Sequence, residues 1–335
     1  MRNVLLALLL ASSATLLAQS PGPYAITHTY TLGGDGGWDY VNPDPPSHRV
    51  YIARSDRTMV VDAETGKLIG EVAGVNGAHG TAIVHSVNRG YLTSSGGKDV
   101  AIFDPKTLKI LSRTPAADDA DADLYDVPSN RVFTMNGDAN SSTVLDAKTG
   151  KLIANIALGG KPEYAVSAGD GMLYANLVDK DEIVEIDAKA AKVTRRWSTT
   201  GCRQPVAQAI DTATHRLFTG CRSGVLAVSD YTAGKVLTTL PIGKGVDSAA
   251  FDPATHDIFA SNADGTLTVI HEETADKYSV LQTLTTPVGS RNCGLDPTTH
   301  KLYVVAADFG PAPAGSRRKP ILPGTFRLLV IEHAQ

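Results

Sequence analysis

Short apolar or alternating runs return along this chain at a nearly constant interval, each bounded by Asp, Pro, Thr and Gly. One such run follows the turn Asp252-Pro253-Ala254-Thr255-His256-Asp257 and begins Ile258-Phe259. Versions of it occur six more times. Aligned on the aromatic, they are Tyr51, Tyr91, Phe133, Tyr174, Phe218, Phe259 and Tyr303, with gaps of 40, 42, 41, 44, 41 and 44 residues. A second landmark, Asp62-Ala63-Glu64-Thr65-Gly66-Lys67, is echoed at Asp104 to Lys109, Asp146 to Lys151, Asp187 to Lys192 and Asp230 to Lys235. It separates two further runs, such as Val100-Ala101-Ile102-Phe103 before it and Lys67-Leu68-Ile69-Gly70-Glu71-Val72 after it. Each unit therefore spells four strands. The Asp-Pro turn joins strands one and two, and a hairpin whose Gly takes positive φ joins strands three and four. A period in the low forties with four strands per unit predicts an all-β fold, a seven-bladed β-propeller of four-stranded antiparallel blades.

The last unit has runs for strand one (Asn292 to Leu295), strand two (Lys301 to Ala306) and strand three (Phe326 to Ile331), and then the chain stops at Gln335. Its outer strand is missing. Thr27-His28-Thr29-Tyr30-Thr31-Leu32, ahead of the first unit, resembles the fourth-strand run Leu281-Gln282-Thr283-Leu284. The N-terminal segment is expected to pair beside 326–331 and close the ring, which removes an open sheet edge.

Composition changes the picture mainly at the N-terminus. Arg2 precedes the apolar run Val4 to Leu10, which continues through small residues to Ala18. This predicts a secretory signal peptide over 1–18, with a single propeller domain over 19–335. The run is too short and too rich in Ser and Thr to span a bilayer, and no other stretch is long enough. The expected location is therefore secreted or periplasmic. With 31 basic and 35 acidic residues the formal net charge is −4, so nucleic acid is not an expected partner; the expected state is a monomer. Export permits disulfides among Cys202, Cys221 and Cys293. A hairpin centred near Asp211 sets Cys202, read as the start of strand one, opposite Cys221 at the end of strand two. That geometry allows a cross-hairpin bond, the expectation carried forward, against two buried free thiols; Cys293 is left over.

Degenerate forms of one tetrapeptide occur at Tyr91-Leu92-Thr93-Ser94, Phe133-Thr134-Met135-Asn136, Tyr174-Ala175-Asn176-Leu177 and Phe259-Ala260-Ser261-Asn262. Together with the Asp-Pro-x-Thr-x-x-x-Tyr/Phe and Asp-x-x-Thr-Gly-Lys pieces, they resemble the Tyr-Val-Thr-Asn (YVTN) repeat, or YncE-like, family of seven-bladed propellers over residues 24–335. The resemblance implies the fold. It does not fix an activity, because such propellers include binding proteins, surface-layer proteins and enzyme-associated modules.

Several repeated residues look like chemistry. His48, His215, His256 and His300 share the position three residues before the aromatic; equivalent positions are spread around a ring, so a turn role is the reading. The Gly-Lys pairs at Gly66, Gly150 and Gly234 lack the rest of a phosphate loop, and Gly33 to Gly37 lacks the βαβ context of a dinucleotide site. Asp119, Asp121 and Asp123 have the opening spacing of a calcium loop, but Leu124 and Asn130 stand where Gly and Glu are needed. They remain weak metal candidates.

In a propeller, the connections from one blade's outer strand to the next blade's inner strand converge on one end of the channel. Counting back twelve residues from each aromatic gives Asp39, His79, Asp121, Pro162, Val206, Asp247 and Arg291, with Trp38, Glu163, Arg203, Gln204 and Asn292 beside them. These positions differ from blade to blade, as expected of a site grafted on a scaffold. The long insertion Asp308 to Thr325, with Arg317-Arg318-Lys319, is expected on the same face. Two readings follow. The first is an exported binding protein whose funnel takes a small polar ligand or a protein or peptide partner, with no cofactor. The second is a lactonase- or lyase-like enzyme with His79 as general acid or base and Asp39, Asp121 or Glu163 holding a divalent metal.

Overall fold

Turn conformation explains the recurrent histidines. The position three residues before each strand-two aromatic has positive φ in all seven units: His48 (54°), Asn88 (50°), Asn130 (54°), Gly171 (94°), His215 (60°), His256 (58°) and His300 (59°). Gly adopts this left-handed region freely, and Asn and His adopt it more readily than most residues. At the other turn, Asp62 Oδ1 accepts from the backbone N–H of Glu64 (3.1 Å) and Thr65 (2.8 Å), with Gly66 at φ 65°. Asp146 does the same for Lys148 and Thr149.

The computed structural model describes residues 22–313, 315 and 319–334. The predicted signal peptide over 1–18, and Arg317 and Arg318, lie outside the described residues. Seven antiparallel four-stranded sheets are arranged in chain order, the first built from Val41–Asp44, Arg49–Arg54, Arg57–Asp62 and Leu68–Ala73. The last contains Cys293–Asp296, Lys301–Ala306 and Arg327–His333, and its outer strand is Tyr24–Thr31 from the other end of the chain. The pairing runs from Tyr24 opposite His333 to Thr31 opposite Arg327, so the closing strand begins three residues earlier than the sequence suggested. Tyr24 also reaches blade six: its ring meets Phe259 edge-on at 5.1 Å and its hydroxyl donates to Asp257. No helix among the described residues is long and apolar enough to cross a membrane.

The core lies between blades. The seven strand-two aromatics are all buried, and tyrosines among them tie neighbouring blades together. Tyr91 of blade two donates to the Ala147 carbonyl of blade three at 2.8 Å. Tyr303 of blade seven donates to Ala63 of blade one at 3.0 Å, so the closure repeats an internal junction. Cys202 and Cys221 are disulfide-bonded, with Cα atoms 5.5 Å apart. Cys202 is not in a strand, however: Thr199 and Cys202 form a turn, and blade five's inner strand starts at Pro205. Cys293 is free and buried.

Candidate functional site

Five inner strands start with a break in register, and the candidate residues lie in it. Regular pairing is interrupted between Ala78 and Thr81, Ala120 and Asp123, Pro162 and Ala165, Pro205 and Ala207, and Val246 and Ser248. Such bulges re-aim side chains, here toward the channel. His79, Asp121, Glu163 and Asp247 occupy four of them; Val206 in the fifth is fully buried in the core. The freed amides are not wasted: Gly80 N–H donates to Thr93 Oγ1 at 2.7 Å and Tyr164 N–H to Asn176 Oδ1 at 2.9 Å. Thr93 and Asn176 occupy the same repeat position, two residues past the aromatic, so the motif's polar residues hold the bulges in these two blades. Gly80 is needed for close approach, because a Cβ there would lie 2.5 Å from Asp123 Oδ1.

Asp39 and Tyr40 from blade one and Arg291 and Asn292 from blade seven enter from the segments just before their inner strands. Asp39, Tyr40, Asp121, Glu163, Asp247 and Arg291 line, with Arg222, a cavity of about 330 Å³, and His79 lines a neighbouring cavity of about 460 Å³ with Asp39 and Arg291. One polar chain runs through all seven blades. His79 Nδ1 contacts Asp39 Oδ2 and lies 3.2 Å from Asp121 Oδ1, while Nε2 is 3.0 Å from Ser95 Oγ. Asn292 Nδ2 donates to Asp39 (3.2 Å) and Asp247 (3.4 Å). Arg291 donates to Asp247 at 2.7 Å. Arg222 donates to Glu163 at 3.0 Å and lies 3.9 Å from Asp247. Tyr40 lines the inner end and packs on Tyr164 at 5.3 Å; Tyr164 in turn lines a second cavity of about 320 Å³ further along the channel.

Burial shapes the charges here. It works against a charged imidazole, but the hydrogen bonds and charges of Asp121 and Asp39 outweigh it and push His79 up to about 10. Burial lifts Asp121 to about 6, against the pull of His79. Glu163 is pushed up to about 8, first by burial and then by the Asp121 charge, against Arg222. Asp247 is also raised by burial, against Arg291.

Of the side chains expected at the funnel, Trp38, Asp39, His79, Asp121, Glu163, Asp247, Arg291 and Asn292 come together, and Arg203 and Gln204 do not. Trp38 packs on Phe309 and Phe326 and forms the apolar wall of the cavity it shares with Asp39, His79 and Arg291. Arg203 is an exposed side chain 3.8 Å from Asp181 and does not line the cavity. Gln204 has φ 55° and occupies the turn position taken elsewhere by Gly77, Asp119, Gly245 and Gly289, all with positive φ. The acid run is also dispersed. Asp119 pairs with Lys161 at 3.3 Å, Asp123 is buried against Gly80, and Asp121 groups instead with Asp39 and His79, one ligand atom of each lying within 4.8 Å of the others. The described part of the 308–325 insertion does sit beside this end, pinned by a bridge between Phe309 and Ile321 and by the Trp38–Phe309 contact.

The sequence reading missed Arg222, Tyr40 and Ser95. Arg222 could have been found four residues past the aromatic, where the other blades carry Ser55, Ser95, Gly137, Val178, Ala263 and Ala307.

A family model described as outer membrane protein assembly factor BamB matches residues 96–311, 216 of the 335 residues. The chain is 26% identical over 165 residues to the uncharacterized protein YncE of Salmonella typhi and to that of Salmonella typhimurium, covering 47% of this chain and 46% of the relative. It is 33% identical over 91 residues to the pre-rRNA-processing protein IPI3 of Meyerozyma guilliermondii, 27% of this chain and 18% of that protein. The chain thus matches about half the length of its YncE relatives.

Proposed function

The chain belongs to the propeller family described as outer membrane protein assembly factor BamB, and on that premise we propose that it is an exported binding propeller whose funnel receives an organic cation. The cation is an amine or guanidinium, carried by a small molecule or by a side chain of a peptide partner. The observation that carries this reading is the charge inventory of one cavity. Four carboxylates, Asp39, Asp121, Glu163 and Asp247, line it with two cations, Arg222 and Arg291, while His79 pairs with Asp39 and Asp121 from the neighbouring cavity, and the negative field of the other carboxylates helps hold Glu163 protonated up to about 8. A cation entering there lets Glu163 ionise and takes the place of the bound proton. The leader-like segment and the Cys202–Cys221 bond support an exported setting.

An enzymatic reading has one observation in its favour: Asp39, His79 and Ser95 are in line as acid, imidazole and hydroxyl. A general base must be neutral at working pH. Against burial, the Asp121 and Asp39 carboxylates push His79 well up, to about 10, so the imidazole is held mainly in its charged form at neutral pH. The second carboxylate, Asp121, thus favours a fixed imidazolium over a base that activates Ser95. A divalent metal on Asp39, His79 and Asp121 would have to displace the same proton.

Calorimetric titration tests this. Trilysine and triarginine are titrated against their side-chain-acetylated and citrulline counterparts at pH 8 in two buffers of different ionisation enthalpy. The expected result is binding of the cationic peptides only, with proton release that disappears in Glu163→Gln. Equal binding of the neutral counterparts, or no binding of either cationic peptide, would overturn the reading. Ester or lactone hydrolysis lost in Ser95→Ala would favour the enzyme instead.

A further inference from the structure

At the end of the molecule opposite the funnel, blades five and six meet over three side chains with no role in the funnel. Asp211 ends the inner strand of blade five (Pro205–Asp211), His256 sits in the first turn of blade six, and Glu272 lies near the end of its third strand (Thr266–Thr274). One ligand atom from each lies within 4.8 Å of the other two.

Hydrogen-bond accounting at this junction does not close. The Glu272 side chain is 1% exposed, and Asp211 is 3% exposed. The Thr214 hydroxyl is 2.5 Å from Asp211 Oδ2 and 3.1 Å from Glu272 Oε1, yet it has one hydrogen. The Tyr278 hydroxyl is 3.1 Å from Glu272 Oε1 and 2.7 Å from the Ala275 carbonyl, again with one hydrogen. Two hydrogens thus face four acceptor contacts. Glu272 Oε2 is buried with no hydrogen-bond partner, and His256 Nδ1 is 3.9 Å away. Arg216 does not help. Its N–H groups go to the Ala275, Thr214 and His215 carbonyls and to Asp276, and it lies 3.7 Å from Asp230.

Other junctions show what is unusual. Three other aspartates that end an inner strand each meet one donor from the next blade: Asp44 meets His85 at 2.6 Å, Asp126 meets Ser167 at 2.8 Å, and Asp252 meets His300 at 2.9 Å. Between blades five and six a second acid is interposed. Glu272 stands where blades one, three and four have Ala63, Ala147 and Ala188. Burying two carboxylates together without enough donors is costly unless one of them takes up a proton or a positive charge joins them.

We propose that Asp211, His256 and Glu272 hold a divalent transition-metal ion of the zinc or manganese class that clips blades five and six together. Two carboxylate oxygens and one imidazole nitrogen suit such an ion, whereas calcium prefers an all-oxygen set. Ligand bonds of about 2.1 Å set tetrahedral donors about 3.4 Å apart, so the 3.9 Å gap from Nδ1 to Oε2 needs only a small contraction. The His256 side chain is 52% exposed, which leaves an entry path from solvent.

The test uses the full exported chain, stripped with chelator, incubated with micromolar zinc or manganese and gel-filtered, followed by elemental analysis and thermal unfolding. The expected result is one bound equivalent and a raised Tm in the wild type and in His79→Gln, which removes the funnel imidazole. Both effects should vanish in Glu272→Gln and in His256→Asn. The second variant keeps the left-handed turn, since Asn88 and Asn130 occupy its position in blades two and three. No bound metal in the wild type, or the same equivalent retained in His256→Asn or in folded Glu272→Gln, would overturn the proposal.

Discussion

The two ends of this propeller use repetition in opposite ways. At the end carrying the strand-one-to-two turns, His, Asn or Gly returns at one position in every blade because the backbone there is left-handed. At the funnel end the backbone feature recurs, a break in register at the start of five inner strands, but the side chain it presents changes from His79 to Asp121, Glu163, Val206 and Asp247. A residue type that repeats at a fixed position reports conformation. A conformation that repeats with varying residues presents chemistry. Glu272 follows the second rule at the end governed by the first, which is why that junction stands out.

The most severe way to break the comparison is to open the ring. Deleting residues 22–31 removes Tyr24 from beneath Phe259, the antiparallel partner of Arg327–His333 and the cover of blade seven. The loss is expected to take a large part of the ~5–15 kcal/mol by which a folded domain is stable. Thermal unfolding should show a Tm at least ten degrees lower, or no cooperative transition; an unchanged Tm would refute closure by this strand.

Next in size is the covalent link at the funnel end. Cys202–Cys221 closes a 19-residue separation, and removing it by Cys202→Ser with Cys221→Ser should cost about 2–4 kcal/mol. Thiol counting on the denatured, unreduced protein should find one free thiol, that of Cys293. Three thiols would refute the bond.

At the opposite end, His215→Asn should change stability by less than about 0.5 kcal/mol, and His215→Val should cost about 1–2 kcal/mol, because a β-branched residue pays for left-handed φ. Equal costs would mean that the imidazole, 3.1 Å from the Tyr231 hydroxyl, matters more than the backbone.

Much of this was legible in the sequence because its causes are local. Asp-Pro, the left-handed His or Asn and the hairpin Gly each act within a few residues, so spacing alone gives seven blades. The funnel was legible where a residue departed from its repeat, as His79 and Asp247 do. The bulges were not, since His-Gly, Asp-Ala and Glu-Tyr share no residue type that announces one. Arg203 and Gln204 were placed in the funnel by nearness in sequence, but Gln204 serves the turn and Arg203 points past the rim. Arg222 comes from a different loop of the same blade, and the packing of blade five on blade four brings it to Glu163. The Asp211–Glu272 junction was hidden because its aspartate looks like every other aspartate at that position.

The smallest effect tests the funnel most finely. The pKa of Glu163 is raised to about 8 in the folded protein from an ordinary value of 4.5. A carboxyl raised in this way binds its proton more tightly when folded, so its contribution is fully present below about 4.5 and is lost as pH rises through 8. His79, raised from 6.5 to about 10, adds a contribution of the same sign, present below 6.5 and lost through 10. The wild-type Tm should therefore fall between pH 6 and pH 9 by a few degrees. Glu163→Gln keeps a neutral amide beside Arg222 at every pH and should flatten the part of the fall below pH 8. Asp121→Asn removes a carboxylate from both neighbours, so Glu163 should titrate lower and His79 should lose its proton at lower pH. If the Tm profile of Glu163→Gln matched the wild type, Glu163 would be titrating as an ordinary exposed acid. The surplus negative field assigned to this cavity would then be wrong, and the match between funnel and cation with it.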